Sequence, residues 1–237
     1  MPSDDAELEP VRGLGPATSW TSAHALLLDH GWRPVGAGDW AWVLRSPSGR
    51  RAGRVSPFDP AAPYTAALYD AAAGTRLVPS DVLFGALGGG ASLLVMELLE
   101  PVAEPVAAAF HRRLADWDPD LAELAAHVRA VHARGAAEQP FWGPVDTNPD
   151  NVMRRADGTL VLTDPYYADG PALFRTAASE PDRFVALVPA ARRRHLTEIP
   201  LAGSGPWEPG AQEALRRTVL DADARAAGAR ATLAPGT

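Results

Sequence analysis

The chain of 237 residues contains no cysteine and no lysine, and all 22 of its basic residues are arginine. Without cysteine there is no disulfide framework, no thiolate nucleophile and no thiolate metal site. Without lysine there is no Walker-type phosphate loop and no Schiff-base chemistry. No apolar run is long enough to cross a bilayer and no secretory leader pattern is present, so a cytoplasmic protein without a membrane partner is expected. Internal repeats and heptads are also missing. The six histidines build no zinc signature: His127 and His132 fall five apart on an expected helix, off a common face, and read as structural. A formal charge of -7 argues against a nucleic-acid partner.

What is present is enough for a core. At 46% hydrophobic the chain is globular, and its length fits one domain or two tightly packed lobes. Residues 1–17 are rich in proline, glycine and acid and are expected to be loosely ordered. Residues 21–30 read as a helix stopped by Gly31. From Trp32 to Leu99 short strands alternate with turns around one helix near 64–73. A helix is expected over 104–117. Asp118 and Pro119 then supply an N-cap and first-turn pair for an amphipathic helix reaching about residue 133, with Leu121, Leu124, Ala125, Val128 and Val131 at core spacing. Further helices are expected near 181–194 and 209–227. The run Arg192-Arg193-Arg194-His195 reads most simply as a solvated helix end, with docking of an anionic substrate or partner as the alternative.

The segment Val145-Asp146-Thr147-Asn148-Pro149-Asp150-Asn151-Val152-Met153 carries the strongest chemical signal. Asp146 and Asn151 lie five apart on a loop where Pro149 fixes its own φ and keeps Asn148 out of the helical region. Residues 152–155 and 160–163 are strand-like about an Asp157-Gly158 turn, so Asp164 should return to the same place on a hairpin. An aspartate, an asparagine and a second aspartate are what hydroxyl phosphorylation needs: one group to accept or orient the proton, and oxygen ligands for Mg²⁺.

Upstream, Gly36-Ala37-Gly38-Asp39-Trp40-Ala41-Trp42-Val43 matches a glycine-rich phosphate loop with Ala41 at its third glycine. The turn Ser46-Pro47-Ser48-Gly49 leads to a strand carrying Arg54. Ser92 to Glu100 reads as a strand running into a hinge at Met96 and Glu97. Trp40 stands at the loop tip, where it is either a packing residue or a cover for a nucleotide.

Over about residues 33–167, these features in this order resemble the protein-kinase-like superfamily, most closely its small, divergent bacterial members and the aminoglycoside-phosphotransferase-like kinases. The resemblance implies an α+β, two-lobed single domain over 1–237, with a β-rich N-lobe at 18–99 and a reduced, mostly helical C-lobe at 100–237. It also implies ATP and Mg²⁺ as cofactors and a hydroxyl-bearing acceptor on a protein, peptide or small molecule. Asp146, Asn151 and Asp164 would be catalytic, the latter two as metal ligands. Gly36, Gly38, Arg54, Met96, Glu97 and Asn148 would hold the nucleotide, Asn148 either touching the phosphate or capping its loop.

The sequence departs from that pattern in several places. Arg54 stands at the lysine position, and a planar fork does not simply replace a point charge. No glutamate occurs on the following helix. Asp70 is the candidate partner for Arg54 there, and otherwise faces solvent. Pro144-Val145 replaces His-Arg before the catalytic aspartate, Pro165-Tyr166 replaces Phe-Gly after the metal aspartate, and no Ala-Pro-Glu closes an activation segment. These departures keep a second function open, a pseudokinase that acts through a partner protein. Residues 171–199 are slightly basic, which disfavours a polycationic antibiotic as acceptor.

Overall fold

Side chains alternate across a β-strand, so strands apolar on both faces need cover on both. In the computed structural model, which describes residues 4–205 and 207–233, helices supply it. Residues 1–3, 206 and 234–237 of the expected N-terminal segment and C-lobe lie outside that description. Helices α1 (Asp4–Arg12) and α2 (Trp20–Asp29) lead into β1 (Arg33–Ala37), β2 (Trp42–Arg45) and β3 (Arg51–Ser56). Helix α3 (Ala62–Ala72), β4 (Leu83–Ala86) and β5 (Ser92–Glu97) follow. The five strands form an antiparallel sheet in the order β1-β2-β3-β5-β4.

On one face Leu44, Val55, Leu93 and Val95 pack with Val11, Ala23, Leu27 and Trp32. On the other, Leu94 joins Leu68, Tyr69 and Ala72 of α3 and a core shared with the second half of the chain. Gly53 interrupts β3 for a steric reason: a Cβ there would lie 3.0 Å from the Trp32 ring. The missing side chain lets the indole rest on the strand.

The second half is largely helical. A three-stranded ribbon of β6 (Glu100–Pro101), β7 (Val152–Arg154) and β8 (Leu160–Leu162) accompanies α4 (Glu104–Ala115) and α5 (Ala122–Glu138). Helices α6 (Gly170–Ser179), α7 (Pro181–Leu187), α8 (Ala190–Arg193) and α9 (Ala211–Leu233) complete the described chain. This is the expected α+β arrangement, a β-rich part followed by a helical one. Asp118 caps the turn before α5 as expected, accepting from the Asp120 N–H at 3.0 Å. Among the described residues no helix is long and apolar enough to cross a membrane.

Three expectations require correction. Residues 4–12 are not loose: they form α1, which buries Leu8 and Val11 one turn apart. The Glu7 carboxylate further ties this helix to the β2–β3 turn, accepting from the Ser48 N–H at 2.6 Å and hydroxyl at 2.8 Å. The helix expected over 181–194 is two helices, because Pro189 forces Val188 out of the helical region. The arginine run is not wholly solvated, since Arg193 is buried and bonds Asp223 and the Val188 carbonyl.

The two halves meet at a turn as well as at the shared core. Gly90, at φ +87°, presses the β4–β5 turn onto α8 so closely that a Cβ would overlap the Arg192 carbonyl. Trp20 of α2 reaches across to donate to Glu198 at 2.6 Å. Gly90→Ala is therefore expected to lower unfolding free energy by about 2–3 kcal/mol, through left-handed strain added to a backbone clash, as measured by urea denaturation.

Candidate functional site

Arg54 occupies the central strand β3, opposite Val43 and Leu94 on its neighbours, with its side chain 17% exposed. A guanidinium this buried needs anionic partners, and it has two: Nη2 lies 3.1 Å from Asp59 and Nη1 lies 3.0 Å from Asp164. Burial alone would lower the Arg54 pKa, but the fields of Asp164 and Asp59 more than offset it and hold the group charged. The expected Arg54–Asp70 pair does not form. Asp70 is exposed at the outer face of α3, while Asp59 sits at the start of that helix and accepts from the N–H groups of Ala61 and Ala62 at 2.9 and 3.2 Å.

Asp164 arrives by the expected hairpin. Val152 pairs with Leu162, and the Asp157-Gly158 turn places Gly158 at φ +90°. One Asp164 oxygen meets Arg54 and the other accepts from the Thr65 hydroxyl at 3.2 Å. Its pKa is pushed up to about 6. Desolvation is the main cause, opposed by Arg54 and reinforced by Asp59 and Asp146. Behind it the Tyr69 hydroxyl donates to the Thr163 carbonyl, and burial raises that phenol well above its ordinary pKa.

The loop carrying Asp146 is fastened to the segment carrying Asp164. The Asp146 N–H donates to the Pro165 carbonyl at 2.9 Å, and the Thr163 N–H donates to the Asn151 carbonyl at 2.9 Å. Within the loop, Asn151 Nδ2 donates to Asp146 Oδ2 at 2.8 Å and the Asn148 N–H donates to Asp146 Oδ1 at 2.9 Å. Asn148 is extended (ψ 128°), and its side-chain oxygen accepts from the Asp150 N–H at 3.0 Å. Of its two expected roles, the capping one is therefore filled. His111 supports the loop from α4, donating from Nε2 to the Asn148 carbonyl at 3.1 Å.

The remaining expected residues are placed differently. Gly36 and Gly38 lie on the β1–β2 hairpin, but its tip is docked onto residues 201–204 of the helical half. Trp40 packs against Phe58 and Phe174, with ring centroids 6.1 and 6.3 Å away, so it is a packing residue there. At the end of β5, Met96 packs on the shared core. The Glu97 carboxylate accepts from the Ser80 N–H at 2.6 Å and from Arg155 Nε at 2.9 Å. The backbone N–H groups of Glu97 and Leu98 donate to the carbonyls of Ser80 and Arg50 at 3.1 and 2.7 Å. Both are therefore already paired within the protein.

Sequence reasoning missed Asp59, Thr65 and Tyr69. The first had a readable signal, because Asp59-Pro60 before an apolar helix is the same capping signature recognised at Asp118-Pro119. A cavity of about 580 Å³ is lined by Asp59 with Tyr64, Phe84, Trp142 and Arg192, and none of residues 146–151 lines it. Among the described residues, no group of three or more His, Asp or Glu side chains is placed to hold a metal ion.

Solved structures resemble the chain only weakly. A pseudokinase in its apo form is similar over 86% of this chain and 89% of its own, at 11% identity and a TM-score of 0.34. An aminoglycoside phosphotransferase from Streptomyces rimosus is similar over 85% and 97%, at 20% identity and a TM-score of 0.29. No protein-family model matches the sequence, and no curated protein matches it.

Two outcomes test this geometry. Asp59→Asn leaves Arg54 half-paired in the interior and is expected to cost about 2–3 kcal/mol, whereas Asp70→Asn should stay within about 0.5 kcal/mol by urea denaturation. Asp164 titrates higher folded than unfolded, so its protonated form contributes stability fully below about pH 4. That contribution is lost as pH rises through about 6. Relative to Asp164→Asn, the wild type should therefore lose of order 2 kcal/mol between pH 4 and 7, read as diverging stability curves.

Proposed function

We propose that the chain is an ATP- and Mg²⁺-dependent phosphotransferase acting on a hydroxyl of a protein, peptide or small molecule. The observation that carries this reading is the convergence of Arg54, Asp146, Asn151 and Asp164 from three separate stretches of sequence onto one place. The donor set suits Mg²⁺, which takes one or two protein oxygens and fills its remaining positions with phosphate oxygens and water. Asn151 spends its Nδ2 on Asp146, leaving Oδ1 to face a cation. Asp164, raised to about pKa 6 by burial, is a carboxylate that a divalent ion would return to its charged form.

Bound Mg·ATP would supply the activated phosphoryl group and neutralise charge on its oxygens. Asp146 would orient the acceptor hydroxyl and take its proton, held in place by the Asn148 N–H and the Asn151 amide. Arg54 would exchange one Asp164 contact for the α- and β-phosphates while keeping Asp59. A cytoplasmic setting, where ATP is abundant, belongs to the same reading.

A second reading is a pseudokinase that acts through a partner protein. It is favoured by the pairing of the Glu97 and Leu98 N–H groups and by the docked tip of the β1–β2 hairpin, both of which restrict a nucleotide. A thermal-shift titration separates the two. ATP with Mg²⁺ at about 100 times its dissociation constant should add about 2.7 kcal/mol to the wild type and little to Asp164→Ala. Asp146→Ala should keep the shift and lose phosphoryl transfer. No shift with ATP or GTP would leave the pseudokinase reading in place.

A further inference from the structure

The tip of the β1–β2 hairpin is fastened down by one side chain. The Asp39 carboxylate accepts from the Gly203 and Ser204 N–H groups at 2.6 and 2.8 Å and from the Ser204 hydroxyl. Its own carbonyl accepts from the Leu201 N–H at 3.0 Å, and the Gly38 carbonyl accepts from the Ala202 N–H at 3.3 Å. The receiving segment is firmly held to the helical half. Ile199 is buried, its carbonyl accepts from Trp207 Nε1 at 3.2 Å, and Trp207 packs edge-on against Phe174. Beside Asp39, Trp40 is inserted between Phe58 and Phe174, and its carbonyl accepts from the Ser56 hydroxyl at 2.6 Å.

We propose that Asp39 and residues 201–204 form a latch that holds the hairpin tip against Ser56 and Phe58, which lie in sequence between Arg54 and its partner Asp59, and that nucleotide entry requires its release. The proposal rests on the phosphotransferase reading above and adds regulation of that same site. Leu201 marks the latch as poised to open. It is held at φ +51°, a left-handed conformation unfavourable for a leucine, where its N–H meets the hairpin. The carboxylate carries the largest share of the contact and sits at the surface, so a charge change there is the natural trigger. A phosphate or a second anion near Ser204 would repel Asp39 and free the tip, whereas the Trp40 insertion would favour closing again.

The test combines amide exchange with nucleotide kinetics on the full chain. In the wild type the Gly203 and Ser204 amides should be protected, and Asp39→Ala should speed their exchange about tenfold or more while leaving the β3 and β5 amides unchanged. Asp39→Asn, which keeps one acceptor oxygen, should fall between them. Association of N-methylanthraniloyl-ATP with Mg²⁺, followed by stopped flow, should be several-fold faster for both Asp39→Ala and Ser204→Ala. Unprotected Gly203 and Ser204 amides in the wild type would overturn the latch. Association that is unchanged or slower in the released variants would overturn its gating role and make the contact a positioning one. If the amides behave as expected but no form binds nucleotide, the phosphotransferase reading fails while the Asp39 contact itself stands.

Discussion

A buried arginine held between two aspartates organises this protein. Arg54 sits on a central strand with a carboxyl group against each branch of its fork, and those groups come from opposite halves of the chain. Asp59 fixes where α3 begins, and Asp164 fixes where the β7–β8 hairpin must return. Placing them together aligns the sheet, the helix behind it and the loop that carries Asp146. The Tyr69 hydroxyl on the Thr163 carbonyl and the Thr65 hydroxyl on Asp164 reinforce the same alignment from α3.

Around this centre the halves are joined more extensively than a single hinge would join them. The end of β5 is secured by Glu97 with Arg155 and Ser80, the β4–β5 turn lies against α8, Trp20 reaches Glu198, and the β1–β2 hairpin meets residues 201–204. Contacts on several sides resist opening about any one axis. Local release of one contact therefore disturbs the structure less than rotation of one half against the other.

Much of this was legible in the sequence because local rules govern it. Pro149 and the Asp157-Gly158 turn set the backbone of the Asp146 loop and the hairpin after it, and the Asp118-Pro119 cap set the start of the helix that supports them. What escaped was tertiary choice. Nothing in the spacing says that Arg54 prefers an acid five residues on to one sixteen residues on, since that depends on where α3 lies. The β1–β2 hairpin reads as a free phosphate loop because its partner at 201–204 is more than 160 residues away. Helix α1 was hidden by composition: proline, glycine and acids surround it, and only Leu8 and Val11 betray a buried face.

The absence of lysine acquires a structural meaning at one position. The two terminal nitrogens of Arg54 address two different carboxylates at once, Nη1 toward Asp164 and Nη2 toward Asp59. An ammonium group delivers its charge from one point and has no second arm. Exchange to lysine would therefore leave one acid stranded in the interior, so the cation at this position and the acid at 59 are free to vary only together. The fork has made residue 54 part of a three-body unit whose members cannot be replaced one at a time.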